Sequence, residues 1–151
     1  MKIALKYGLL ITIVVVLWVI LVRFIFPVSP ESPVNMLAPI LFNLAAIVAI
    51  YFGIRARGRK GAHTFKEGLS TGLSISFVYA VSSCLFFFVL YLIVGPKLLA
   101  SEPLAQVYPL WQVALFSYAG MFFGALLAGL IFSTVISFFM VRTRRNMSDK
   151  L

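Results

Sequence analysis

The chain has 151 residues, of which 62% are hydrophobic and 11% are charged. A soluble domain carries about 25% charged residues, so this composition excludes a soluble globular protein and indicates that lipid surrounds much of the chain. The net charge of +9 therefore needs an explanation other than nucleic-acid binding. The single cysteine, Cys84, and the single histidine, His63, exclude an intramolecular disulfide and a metal site built on paired Cys or His ligands. We expect no metal and no cofactor.

Four apolar stretches are long enough to cross a bilayer. A spanning helix needs about 20 mostly apolar residues, because the hydrocarbon core is about 30 Å thick and a helix rises about 1.5 Å per residue. The predicted spans are residues 5–26, 36–54, 69–94 and 111–141. Open sheets are excluded because unpaired backbone amides are too costly in lipid. The sequence therefore predicts an all-α integral membrane four-helix bundle that forms one domain over residues 1–151.

The second predicted span begins after a proline-rich stretch. Asn35 has the side chain of a helix N-cap. Pro39 would then occupy one of the first four helical positions, whose N–H groups have no intrahelical partner. We therefore predict that the second helix starts at Asn35.

The positive charges are distributed unevenly between the two sides of the predicted bundle. If the N-terminus is cytoplasmic, only Arg23 and Lys97 lie on the outer side. The other 11 of the 13 cations lie on the inner side, in the order Lys2, Lys6, Arg55, Arg57, Arg59, Lys60, Lys66, Arg142, Arg144, Arg145 and Lys150. This asymmetry follows the positive-inside rule. It predicts that both termini and the loop between the second and third helices are cytoplasmic.

The cluster in that loop has a second interpretation. Lys and Arg beside a membrane attract anionic lipid headgroups by about 1 kcal/mol per charge. We therefore predict membrane lipids as partners, with an anion-binding surface formed by Arg55, Arg57, Arg59 and Lys60. The alternative is that these residues only orient the protein in the membrane.

Helix-boundary signals surround the same cluster. Gly58 and Gly61 are expected to end the second helix. Thr64 and Glu67 have the spacing of a capping box, in which each residue satisfies a backbone N–H of the other. The positive end of the helix macrodipole also favours an anion at Glu67. These signals predict that the third helix starts here, and they give Glu67 a structural role, with a catalytic or proton-carrying role as the alternative.

The stretch YFGIRARGRKGAHTFKEGLSTGL, together with a third helix that closes on VGPKLL, carries a family resemblance. The matching positions are Gly53, Ile54, Arg55, Gly61, Thr64, Phe65, Gly72 and Pro96. On these residues the chain resembles the bacterial four-helix membrane proteins of domain-of-unknown-function family 4199. The family often has an acid just before the matching proline, where this chain has Gly95. The resemblance implies a four-helix fold in the bacterial inner (plasma) membrane, and it implies no activity.

Small residues recur at every fourth position of the third and fourth predicted helices. Such rows let helix backbones approach closely, which matters because lipid provides no hydrophobic drive for helices to associate. The residues predicted to pack helices together are Gly72, Gly120, Gly124 and Gly129. We expect them to join helices within the chain. The alternative is a homodimer seam through Gly120 and Gly124, and a larger membrane complex is also open.

Polar residues fall at similar depths near the middle of several spans, among them Thr12, Asn43, Tyr79, Ser82 and Ser83. One interpretation is that they form hydrogen bonds between helices, each worth about 0.6 kcal/mol. The other is a small polar cavity for a neutral or zwitterionic ligand.

Arg23, near the outer end of the first span, is a further candidate for this cavity. Arginine inside a span defaults to a functional interpretation. The alternatives are that its charged group reaches the headgroups or pairs with Glu31 or Glu102. The residues predicted for the cavity are Arg23, Asn43, Tyr79 and Ser83.

These patterns contain no catalytic constellation, since we find no carboxylate pair, no nucleophile elbow and no phosphate-binding loop. We therefore expect a multi-pass, non-enzymatic accessory or scaffold protein that does not bind nucleic acid. The alternative is a small carrier, channel or lipid-binding protein. It rests on Arg23, Asn43 and the polar layer.

Overall fold

The structure is a computed structural model, and it describes residues 2–26, 32–58, 64–95 and 103–148. It has four long helices: α1 (Lys2–Ile20), which continues into a π-helical turn (Leu21–Ile25), α2 (Pro33–Gly58), α3 (Phe65–Val94) and α4 (Leu110–Ser148), the last preceded by a short 3₁₀ turn (Pro103–Gln106). The predicted all-α fold is confirmed. Each helix contains a segment long and apolar enough to cross a membrane: Lys2–Ile25, Leu37–Gly58, Phe65–Val94 and Leu110–Arg142.

The helix boundaries follow local capping. Thr64 and Glu67 form the predicted capping box, with the Thr64 N–H donating to Glu67 Oε2 at 3.1 Å and the Glu67 N–H donating to Thr64 Oγ1 at 3.3 Å. At the other end of α3, Gly95 has φ +78°, a left-handed conformation that glycine adopts without strain. Its N–H donates to the Tyr91 carbonyl and closes the last turn.

The prediction that α2 starts at Asn35 is wrong. The helix begins at Pro33, and the Ser32 hydroxyl accepts the Val34 N–H at 3.4 Å. Proline suits the first helical position because its fixed φ fits the helix and its missing N–H would have no partner there. The Ser32-Pro33 pair therefore sets the boundary, and Pro39 lies inside the helix.

The core is a cluster of branched aliphatic side chains at the junction of three helices. Ile11 of α1, Ile50 and Ile54 of α2, and Ile75 of α3 are all fully buried. Many other large apolar side chains point outwards: Ile93 is 77% exposed and Ile40 is 65% exposed. An apolar exterior around a small core is the arrangement expected when lipid is the solvent.

One end of the bundle gathers the described cations, with the exception of Arg23. Tyr7 of α1 and Met140 of α4 pack against the core cluster that contains Ile54, so the start of α1 and the end of α4 lie beside the end of α2. We call this the basic end, and it carries Lys2, Lys6, Arg55, Arg57, Lys66 and Arg142. We call the opposite end the distal end, and it carries Arg23, Gly95, Tyr108 and Trp111.

Candidate functional site

Helices α3 and α4 contact each other through a reciprocal pair of small residues. A Cβ added to Gly72 of α3 would overlap the side chain of Ser133 of α4, whose Cβ would be 2.6 Å away. A Cβ added to Gly129 of α4 would overlap the side chain of Ser76 of α3 in the same way. Each helix thus contributes one glycine and, four residues later, one serine. Gly72 and Gly129, both predicted from the sequence to pack helices, lie in this α3–α4 seam.

The other two predicted packing glycines lie elsewhere. Gly120 and Gly124 are exposed, and a Cβ at either position would meet no described atom within 4 Å. The expectation that they join helices within the chain is therefore not met among the described residues. Both glycines instead line an open space beside α4, and residues of α2 line its other side.

That space is a groove of about 450 Å³, which we call the α2–α4 groove. Ala38, Phe42 and Ala46 line one wall. Gly120, Gly124 and Ala128 belong to the other wall, and Ser76 and Tyr79 of α3 also contribute to the lining. The walls carry mostly small side chains, so the helix backbones are accessible from the bilayer.

The structure brings together two of the four residues predicted to form a polar cavity. Asn43 and Tyr79 both line the α2–α4 groove. The Asn43 side chain is exposed, and its Nδ2 donates to the Pro39 carbonyl of its own helix at 2.8 Å. Ser83 is buried and does not line the groove; its hydroxyl lies near Tyr79 but lacks a hydrogen bond of acceptable geometry among the described residues.

Arg23, the fourth residue, lies apart from this groove. It is exposed within the π-helical turn at the distal end of the first span. The two acids predicted as its pairing partners, Glu31 and Glu102, fall outside the described residues.

Other members of the predicted polar layer connect helices α1 and α3. Thr12 Oγ1 and Ser82 Oγ lie 2.6 Å apart and share a hydrogen bond. Because a hydroxyl has one proton, one of the two donates to the other. The hydroxyl that accepts can donate to its own helix, Thr12 to the Gly8 carbonyl at 3.2 Å or Ser82 to the Val78 carbonyl at 2.7 Å. The Thr12–Ser82 contact is a hydrogen bond between two helices, as the first interpretation of the polar layer expects.

At the basic end, the predicted anion-binding residues Arg55 and Arg57 are exposed, whereas Arg59 and Lys60 fall outside the described residues. Arg57 lines a pocket of about 240 Å³, which we call the Arg57 pocket, together with Lys66 and Glu67. Hydroxyl-bearing residues of α3, among them Ser70 and Thr71, complete its lining. Arg55 does not line this pocket, so the structure distinguishes two arginines that are equivalent in the sequence pattern.

The Arg57 pocket adjoins a larger apolar cleft of about 820 Å³ between helices α1 and α3, which we call the α1–α3 cleft. Lys2 and Lys66 stand at its mouth. Ala4, Lys66, Ser70 and Ser74 line both the pocket and the cleft, so the two spaces lie side by side. This site is not apparent from the sequence, because no local pattern relates the start of α1 to the face of α3 that it meets.

Two closely packed glycines were also missed. A Cβ at Gly8 would lie 2.7 Å from Val78 Cβ, and a Cβ at Gly53 would overlap the Ile75 side chain. Ala4, Gly8 and Thr12 form a row at every fourth position of α1, so the pattern that identified Gly72 could have identified Gly8 as well.

Comparison with known proteins gives a family and no further relative. A family model described as "Protein of unknown function (DUF4199)" matches residues 6–106, about two thirds of the chain. No curated protein and no solved structure matches it significantly.

Proposed function

Since this chain belongs to the family described as "Protein of unknown function (DUF4199)", we propose its role from its own geometry: it is a non-enzymatic scaffold protein that associates with a second copy of itself through the α2–α4 groove. The four membrane-spanning helices are the basis of the proposal. The groove is the surface that would carry the association.

The open glycines of α4 are the observation that carries the proposal. Within one helix, Gly129 is packed against Ser76, whereas a Cβ added to Gly120 or Gly124 would meet no described atom of another helix within 4 Å. Glycines four residues apart expose a strip of backbone. In lipid, another helix packed onto this strip makes stabilising van der Waals contacts with it. The α3–α4 seam shows how closely this chain's helices approach at such positions.

An exposed polar side chain supports a protein occupant for the groove. Asn43 lies on the wall opposite Gly120 and is exposed at membrane depth. Asn side chains inside membranes form hydrogen bonds across helix interfaces. A helix packed in the groove would give the Asn43 amide a partner that lipid tails cannot provide.

A second copy is the occupant that these features favour. A two-fold interface uses the same patch on both subunits, so a patch must be complementary to itself. Two Gly120–Gly124 strips can approach each other closely, because neither position carries a side chain. Both Asn43 amides would then lie beside the shared seam, where an amide can donate to and accept from its symmetry mate.

The chemistry of the described residues supports a non-enzymatic role. Glu67 is the one acid among them, and its carboxylate accepts the Thr64 N–H in the capping box. Its position is therefore explained by helix capping. The hydroxyls of Thr71, Ser74 and Thr134 each donate to a carbonyl of their own helix.

We further propose that the protein resides in a bacterial plasma membrane with its basic end in the cytoplasm. The support is the distribution of charge, which concentrates 11 of 13 cations on one side of the predicted bundle. Trp111, exposed at the distal end, fits the aromatic belt at the opposite interface.

Disulfide crosslinking in native membranes tests the self-association. In a Cys84→Ser background, Gly120→Cys should form a dimer on mild oxidation. Leu85→Cys is a matched control: by the Gly72–Ser133 and Ser76–Gly129 contacts it lies at the depth of Gly120, and it is 59% exposed on α3. It should remain monomeric.

Failure of Gly120→Cys to crosslink, with the protein correctly inserted, would overturn the self-association. The groove would then favour the alternative of a small carrier or channel, whose ligand would meet Asn43 and Tyr79.

A further inference from the structure

We propose that the α1–α3 cleft and the adjoining Arg57 pocket together bind one anionic phospholipid from the leaflet at the basic end. Its phosphate would lie among Lys2, Arg57 and Lys66, and an acyl chain would lie in the cleft. This site is separate from the α2–α4 groove, so the proposal does not depend on self-association.

The charges converge from three helices. Lys2 belongs to α1, Arg57 to α2 and Lys66 to α3, and all three line the cleft or the pocket. Glu67 is the one acid in the same lining, which leaves two net positive charges. Lys6 and Arg55 carry the same charge at the same end of the bundle, but they line neither the cleft nor the pocket. The site is therefore defined by where its charged side chains meet and not by the charge of this end alone.

The cleft has the length and character of one lipid chain. It extends along α3 from Lys66 to Val78, which is about 18 Å at about 1.5 Å per residue. Half of a hydrocarbon core is about 15 Å thick, so the cleft spans one leaflet. Ala4, Leu69, Leu73 and Phe77 give it an apolar lining.

The lining of the site changes from charged to polar to apolar in the same order as the parts of a phospholipid. The lysine and arginine side chains lie at the mouth, and Ser70, Thr71 and Ser74 follow at the level where the pocket meets the cleft. Below them the lining is apolar as far as Val78 and Leu126. Hydroxyl groups at the junction suit the glycerol and ester region of a lipid, which lies between phosphate and hydrocarbon.

Native mass spectrometry of the full chain in detergent tests the proposal. The protein is mixed with equimolar dipalmitoyl phosphatidylglycerol and dipalmitoyl phosphatidylethanolamine, and the retained lipid is counted. We expect one retained phosphatidylglycerol. Glycerol phosphate, which has the charge and no acyl chains, should not displace it.

Two matched pairs of variants separate the site from general electrostatics. Arg57→Gln with Lys66→Gln should weaken retention by roughly 30-fold, because each lost charge contact costs about 1 kcal/mol, which is about a fivefold change in affinity. Arg55→Gln with Lys6→Gln removes the same charge from the same end and should weaken it by less than about threefold, because more distant surface charges are screened by salt. All four side chains are exposed, so folding should be retained.

A third variant blocks the cleft without changing charge. Ser74→Phe places a ring in the cleft and should abolish most retention, whereas Thr134→Phe, at an exposed position of α4 outside the cleft, should not. Four results would each overturn the proposal. Two concern the variants: an equal loss of lipid retention in the two double charge variants, or unchanged retention in Ser74→Phe. The other two are equal retention of phosphatidylethanolamine and displacement of the lipid by glycerol phosphate.

Discussion

Gly129 of α4 lies so close to Ser76 of α3 that a Cβ at position 129 would overlap the serine side chain. Four residues away the roles are reversed, with Gly72 of α3 against Ser133 of α4. Because lipid does not drive helices together, this close approach of backbones stabilises the contact between α3 and α4.

Gly129→Ala should therefore destabilise the bundle. The added methyl group has no space, and overpacking of this kind costs about 1–3 kcal/mol. Equilibrium unfolding of the purified protein in mixed SDS and mild detergent measures the change in the free energy of unfolding.

Gly124→Ala is the matched control on the same helix. It meets no described neighbour within 4 Å. Alanine also has a helix propensity up to about 1 kcal/mol better than glycine. Measured at a dilution at which the protein is monomeric, the stability of Gly124→Ala should equal or slightly exceed that of the unchanged protein, because the proposed contact of Gly124 with a second copy is then absent. An equal loss in both variants would contradict the assignment of the α3–α4 seam.

The hydrogen bond between Thr12 and Ser82 should contribute a small coupling energy. A double-mutant cycle with Thr12→Val and Ser82→Ala should give about 0.6 kcal/mol, the average for hydrogen bonds between membrane helices. The value is small because each hydroxyl can instead donate to a carbonyl of its own helix, Thr12 to Gly8 and Ser82 to Val78. A coupling energy indistinguishable from zero would show that the 2.6 Å contact contributes nothing.

Loss of the capping box should weaken the first turn of α3. Thr64→Ala leaves the Glu67 N–H without its acceptor and should cost about 1 kcal/mol. Hydrogen exchange of the first-turn amides reports the local effect. Ser74→Ala, whose hydroxyl donates to the Ser70 carbonyl within the helix, should leave these amides unchanged. Equal exchange in the two variants would argue against the cap.

The proposed orientation predicts where the loops lie. A reporter inserted within residues 59–63 should be active in the cytoplasm, and one within residues 96–102 should be active on the opposite side. Paired phosphatase and fluorescent-protein fusions measure both locations. Finding the two loops in one compartment would be incompatible with four spans.

Much of the architecture was predictable because it depends on local chemistry. The capping box needs only Thr64 and Glu67 at the right spacing, and Gly95 ends α3 through its own conformation. The start of α2 was misplaced because Asn35 and Ser32 are both plausible caps, and the proline that follows Ser32 decides between them.

The two candidate surfaces were only partly predictable. The repeat of small residues identified Gly72, Gly120, Gly124 and Gly129 without indicating which of them face another helix. Gly72 and Gly129 turned out to lie in a seam, while Gly120 and Gly124 face a groove. Spacing along one helix does not reveal which of its small residues a neighbouring helix covers.

By itself, the sequence determined the four helices, their apolar exteriors and the concentration of cations at one end, because each of these depends on composition and spacing along the chain. Only the tertiary structure decided that Arg57 lines a pocket and Arg55 does not, and that Lys2 shares a cleft with Lys66. Those relationships depend on the rotation of each helix about its axis. Packing among all four helices sets that rotation, and no single segment encodes it.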